Sequence, residues 1–203
     1  MPTHAFVYLA SQSPRRAQLL DQIHVAHRPL LADRDENVEA LEEPLGNETP
    51  EAYVRRVALL KLQAARRRLA RRRLPEAPIL AADTTVALGR RMLAKPADAA
   101  EAEAMLRALS GRTHRVLTAV AVSHGRESPL RVSVSRVRFA ALSATAIEQY
   151  VQSGEPMGKA GAYAVQGRIA AWIERIDGSY SGVMGLPLFE TRELLAMARV
   201  RLF

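Results

Sequence analysis

The chain has 203 residues, 48% of them hydrophobic, with no cysteine and a formal net charge of +8. That excludes a disordered chain, a disulfide scaffold, thiolate chemistry and a cysteine-bound zinc. It leaves room for a real core, as one large domain or two small lobes. The charge is local: Arg55, Arg56, Lys61, Arg66, Arg67, Arg68, Arg71, Arg72 and Arg73 fall within one stretch free of acids, leaving 20 basic against 21 acidic residues elsewhere. Two readings stay open for that stretch, a solvated helix face or an anionic contact such as nucleic acid. No leader of basic then apolar residues opens the sequence, and no run is apolar enough to cross a bilayer. A cytoplasmic protein is expected.

The elements alternate strand and helix, which predicts an α/β fold. An apolar strand over 5–10 runs into Ser11-Gln12-Ser13-Pro14-Arg15-Arg16 and then a helix, with Ser13 at the N-cap and Pro14 at the first helical position. An extended piece at 28–31 and an acidic loop over 33–47 come next. Thr49-Pro50-Glu51 opens a long helix to about residue 73, its apolar stripe passing through Val54, Val57, Ala58 and Ala65. The run 79–88 reads as a strand, Gly89-Arg90-Arg91 as a hairpin turn, and 91–94 as a short strand. Asp98 and Glu101 make a capping-box pair for a helix ending near Leu109. Strands over 113–123 and 130–140 form an antiparallel hairpin. A short helix to Ser153, a strand over 170–176, a tight turn at 178–182 and a closing helix over 186–199 complete the chain.

Several residues sit where chemistry would be. Two serines and two guanidiniums at a helix N-terminus suit a phosphate group. Asp83 lies inside the apolar run Ile79-Leu80-Ala81-Ala82-Asp83-Thr84-Thr85-Val86, where a carboxylate is costly without a metal, a cation or donors. It reads as a strand-end cap, or as a metal ligand or general base. Lys61 lies in the apolar stripe of the long helix, seven residues after Val54, and either snorkels outward or reaches an anion in a cleft. Lys95 is held extended by Pro96. Asp33, Asp35 and Glu36 would add the oxygen ligands that magnesium or manganese prefers. In Gly158-Lys159-Ala160-Gly161-Ala162-Tyr163-Ala164-Val165-Gln166-Gly167, small residues permit close approach of a ligand, and Gln166 offers the donor and acceptor needed to read a base edge. The histidines do not pair at metal-ligand spacings, and no P-loop or nucleophile elbow is present.

These segments in this order resemble the Maf family of nucleoside triphosphate pyrophosphatases over nearly the whole chain. The match runs from Leu9–Arg16 through Asp33-Arg34-Asp35-Glu36, Tyr53-Val54-Arg55-Arg56 with Lys61, Ala82–Val86, Lys95-Pro96 and Leu109–His114 to Lys159–Gly167 and Gly185-Leu186-Pro187-Leu188. The resemblance implies a mixed twisted sheet flanked by helices, with two lobes of a single domain over 1–203 around a central cleft. It implies cleavage of a nucleoside triphosphate to the monophosphate and pyrophosphate, a divalent metal, and usually a homodimer. The branch acting on dTTP and UTP is the more similar one, because Lys159–Tyr163 and Gln166 follow its pattern.

By position, the resemblance implies that Asp83 is the catalytic acidic residue. Arg15, Thr84 and Gln166 fall at positions linked to substrate choice, and Ser11, Arg16, Glu36, Lys61 and Lys95 at other active-site positions. Glu36 and Asp83 would hold the metal. Gly158 departs from members that carry an acidic residue before the lysine, and Arg34 replaces a usual apolar residue and should point to solvent. Two other functions stand beside this one: the same chemistry on a modified or purine triphosphate, and a non-catalytic binding protein of cell-division control using the arginine helix.

Overall fold

The computed structural model describes residues 4–34 and 36–202. One sheet of seven strands runs through it. Its strands are β1 (Val7–Leu9), β2 (His27–Pro29), β3 (Ile79–Leu88), β4 (Arg91–Leu93), β5 (Thr113–Val122), β6 (Leu130–Phe139) and β7 (Ile173–Asp177). The order is β2-β1-β3-β5-β6-β7, with β4 turned back onto the end of β3. The β1 strand is parallel to both neighbours, and every later pairing is antiparallel. This is the mixed α/β sheet expected from the sequence.

Strand β3 is buried on both faces and is followed through the sheet by strict alternation. Ile79, Ala81 and Ala87 pack against the long helix α2 (Pro50–Arg71), while Leu80 and Ala82 pack against α1 (Pro14–Gln22) and α6 (Leu188–Met197). The predicted stripe of α2 is its buried face: Val54, Val57, Ala58 and Ala65, joined by Leu62, are fully covered. Thr49 caps this helix by accepting from the Ala52 N–H at 3.2 Å, with Pro50 at its first position. A third cluster lies where α3 (Ala99–Leu109) and α4 (Ala144–Gln152) cover Val86, Val116, Val137 and Phe139.

The structure departs from the sequence reading in four places. Ser13 occupies the N-cap of α1, but its side chain makes no capping bond; its own N–H donates to Ser11 Oγ at 3.1 Å. Glu101 accepts from the Ala97 N–H rather than that of Asp98, although Asp98 caps α3 as expected. Residues 170–172, read as the start of a strand, belong to a 3-10 turn over 168–172, and β7 begins only at Ile173. The segment read as a tight turn at 178–182 holds the start of helix α5 (Tyr180–Met184), capped by Ser179, which accepts from the Gly182 N–H at 2.9 Å. The closing helix is correspondingly shorter.

Candidate active site

A cleft of about 990 Å³ opens beside the middle of β3. Its position follows from strand lengths. The β1 strand pairs with β3 only at Ile79 and Leu80, and β4 pairs with it only from Val86 onward. Between them, Ala82 to Thr85 have a strand neighbour on the β5 side alone among the described residues. The sheet therefore carries a slot along that edge, and side chains from both of its faces reach one opening. Asp83 and Thr84 are adjacent on β3, point to opposite faces, and both line the cleft.

On the α2 face, Asp83 is 5% exposed. Its Oδ1 accepts from Lys61 Nζ at 2.7 Å, and its Oδ2 has no hydrogen-bond partner among the described residues. Lys61 therefore does not snorkel away: it turns inward, as the cleft reading expects. Its ammonium also donates to Glu42 Oε1 at 2.7 Å, and Lys95 Nζ donates to Glu42 Oε2 at 2.7 Å. Burial pushes the Glu42 carboxyl up, but Lys61 and Lys95 outweigh that and hold it below its ordinary value. Glu42 ends a single 3-10 turn, Glu39–Glu42, inside the stretch read from sequence as an acidic loop. The sequence reading missed it, since nothing local separates it from its solvated acidic neighbours.

On the opposite face, Arg16 is fixed by several acceptors. Its Nε donates to the Gly185 carbonyl at 2.8 Å, Nη1 to Ser11 Oγ at 3.1 Å and Nη2 to Thr84 Oγ1 at 3.4 Å. Burial lowers the pKa of Arg16, against the attraction of Asp83. Arg15 Nε donates to the Met184 carbonyl at 3.3 Å. Gly185 ends α5 at φ 115°, a left-handed conformation that turns its carbonyl toward Arg16. Thr84 Oγ1 is 2.9 Å from Thr118 Oγ1, which donates on to the Gly182 carbonyl.

The third wall is the Gly158–Gln166 segment. Gly161 sits at φ 69°, its N–H donates to the Ala94 carbonyl, and a Cβ added to it would lie 2.9 Å from the Val86 side chain. Only glycine lets this turn seat against the β3–β4 hairpin, one residue from Lys95. Lys159 donates to the carbonyls of Glu155 and Met157, and Gln166 is exposed at the cleft wall. Behind the wall, Tyr163 OH lies 2.7 Å from His114 Nε2, and His114 stacks edge-on against Phe139 and Tyr163. Burial pushes the His114 pKa down to about 4.

Thus Ser11, Arg15, Arg16, Glu36, Lys61, Asp83, Thr84, Lys95 and Gln166 all line one cleft. Glu36 differs from the others in its bonding. Both its oxygens are held by Arg68, and Arg71 adds a bond of 2.6 Å to Oε1. The Arg68 bonds, ahead of the opposing effect of burial, set its pKa below the ordinary value. Asp33 is bound by Arg71 and Arg72. Asp35 lies outside the described residues, and Arg34 is exposed as expected. Among the described residues, no group of three or more His, Asp or Glu side chains is arranged to hold a metal. Of the nine basic residues in 55–73, only Arg67 and Arg73 make no side-chain hydrogen bond or ion pair among the described residues; the side chains of the others bind carboxylates or carbonyls within the chain. Among the described residues no helix is long and apolar enough to cross a membrane.

Comparison with known proteins relates the whole chain to a family. The profile of the family described as "Maf-like protein" matches residues 6–198. A protein of Polaromonas sp. (strain JS666 / ATCC BAA-500) is 62% identical over 202 residues, covering 100% of both chains. One from Cupriavidus pinatubonensis is 60% identical over 198 residues, 98% of this chain and 99% of its own length. One from Ralstonia nicotianae is 60% identical over 200 residues, 98% of this chain and 97% of its own. Each of the three is named "dTTP/UTP pyrophosphatase".

Proposed function

The chain belongs to the Maf family, and from that premise we propose that it hydrolyses nucleoside triphosphates, dTTP and UTP foremost, to the monophosphate and pyrophosphate. The observation that carries the reading is Asp83: a buried carboxylate with one oxygen on Lys61 and the other without a partner, opening onto a cleft lined by Arg15, Arg16 and Lys95. A carboxylate with an unused buried lone pair is costly in a purely structural role.

In this reading Arg15, Arg16, Lys61 and Lys95 bind the triphosphate, with Ser11 beside them. Asp83 takes a proton from water as its oxygen bonds to the α-phosphorus. The bond from that phosphorus to the α–β bridging oxygen breaks, its electron pair stays on that oxygen, and pyrophosphate leaves. The basic side chains offset the growing charge on the leaving group. Thr84 and Gln166 face the base and read a pyrimidine edge.

The oxygen donors of this site fit a hard divalent cation such as magnesium or manganese, because Asp83 Oδ2 is orphaned. Asp83 would hold it, and Glu36 joins only by exchanging an arginine; when bound, the cation lowers the pKa of a coordinated water. With few protein ligands on offer, phosphate oxygens and water complete such a shell. The reading includes the homodimer that the family resemblance implies and the cytoplasmic setting expected from the sequence.

The test is pyrophosphate release across canonical, modified and purine triphosphates. Wild type should act best on dTTP and UTP. Asp83→Asn should lower kcat by on the order of 10³-fold with the far-UV circular dichroism unchanged. Retained turnover in that variant removes Asp83 from the centre of the mechanism.

A further inference from the structure

The two lysines assigned above to the triphosphate already share an anion. Glu42 Oε1 is 2.7 Å from Lys61 Nζ and Glu42 Oε2 is 2.7 Å from Lys95 Nζ, while Lys61 also holds Asp83. Two ammoniums and two carboxylates make this cluster neutral. The backbone around Glu42 is fixed independently of these ion pairs. The Leu41 and Glu43 carbonyls accept from Arg56, at 3.4 and 2.9 Å, and the Glu42 carbonyl accepts from Tyr53 OH at 2.8 Å. Arg56 is itself held by Glu48. Three successive carbonyls pinned to α2 place this carboxylate between the lysines whether or not they grip it.

We propose that Glu42 is an internal anion that occupies the phosphate-binding lysines and restricts the site to polyphosphates carrying a divalent cation. This rests on the reading of the cleft as a triphosphate site. A free polyphosphate must displace Glu42 from Lys61 and Lys95, and it then faces Glu42 and Asp83 as like charges in a half-buried space. A polyphosphate with its own cation meets the same carboxylates as favourable partners. The neutral cluster thus sets specificity: it gives little to free phosphate or pyrophosphate, and its affinity appears when cation and phosphates arrive together.

The experiment is calorimetric titration of chelator-treated protein with inorganic pyrophosphate. Glu42→Gln and Glu42→Ala should each bind at least about tenfold more tightly than wild type, and adding magnesium should shrink that gap. Lys61→Met in the Glu42→Gln background should cancel the gain. Glu43→Gln makes the same change of net charge one residue away, touches neither lysine, and should bind as wild type does. Thermal melts verify that the variants are folded; the pinned backbone carbonyls are untouched in all of them. Equal or weaker binding by both Glu42 variants overturns the proposal, as does equal tightening by Glu43→Gln. Hydrolysis of dTTP by wild type, measured alongside, separates the two levels. Its absence overturns the functional reading, whereas normal hydrolysis with no tightening overturns the role of Glu42 alone.

Discussion

The middle of helix α2 and its C-terminal end both carry basic residues that grip carboxylates, and they differ in what is left over. At the arginine end, Arg68, Arg71 and Arg72 saturate Glu36 and Asp33, and Arg68 also donates to the Leu30 carbonyl at 2.8 Å. All four oxygens of Glu36 and Asp33 are bonded, and the cluster works as a strut tying the start of the acidic loop to the helix. At the Lys61 position, the ion pair leaves the buried Asp83 Oδ2 without a partner among the described residues, on a side chain that lines a cleft. Composition does not separate these two sites, since both are cations beside acids. The lone pair without a partner does.

Lys61→Met should give the largest effect. It removes one partner of a buried pair, and kcat/KM for dTTP is expected to fall by about 10²–10³-fold, with about 3 kcal/mol of stability lost. An equal loss of activity on cutting the arginine cluster would erase the distinction between the two sites.

His114 sharpens the comparison, because its Nδ1 is also buried and without a partner among the described residues, yet His114 does not line the cleft. Its orphan atom should tell on stability rather than turnover. Unfolded, the imidazole takes a proton near 6.5; folded, it does so at about 4. Above the higher value both states are neutral and stability is complete. Between the two values the unfolded state alone binds the proton, so stability falls as pH falls, by on the order of 3 kcal/mol in total, and levels off below the lower value. Denaturant melts from pH 7 to 4 should show this slope, and His114→Asn should flatten it.

A smaller change is expected from Arg68→Met. It strips the buried Leu30 carbonyl of its donor and should cost about 1–3 kcal/mol, with turnover changed only a few-fold. Arg71→Ala should do least of all, since an exposed pair is screened by water and salt; a clear shift in Tm would show that the arginine cluster is more than a strut.

Much of this was legible in the sequence, for identifiable reasons. The span of β3 is marked by an apolar run interrupted only by Asp83-Thr84-Thr85, and α2 by Thr49, Pro50 and a stripe at helical spacing. Asp83 and Lys61 stood out as charges placed where apolar residues belong, and both proved to be inside. Glu42 carried no such mark. It is one acid among several in a polar loop, and its importance comes from Lys61 and Lys95, 19 and 53 residues away. The arginine strut was hidden for the same reason, since its pairs span 32 to 39 residues. Helix α5 has only five residues, too few for periodicity to register.

The short β1 strand has a consequence for engineering. Leu80 accepts a hydrogen bond from Ala10 on the β1 side, and residues two and four further along a strand direct their peptide groups to the same edge. Ala82 and Thr84 thereby present main-chain donors and acceptors to the slot. A library randomised at every lining side chain would leave that strip of backbone constant. Retargeting this cleft to another nucleotide means working around a fixed rail, and the residues that can be varied to advantage are those that face the rail from α1, α2 and the Gly158–Gln166 wall.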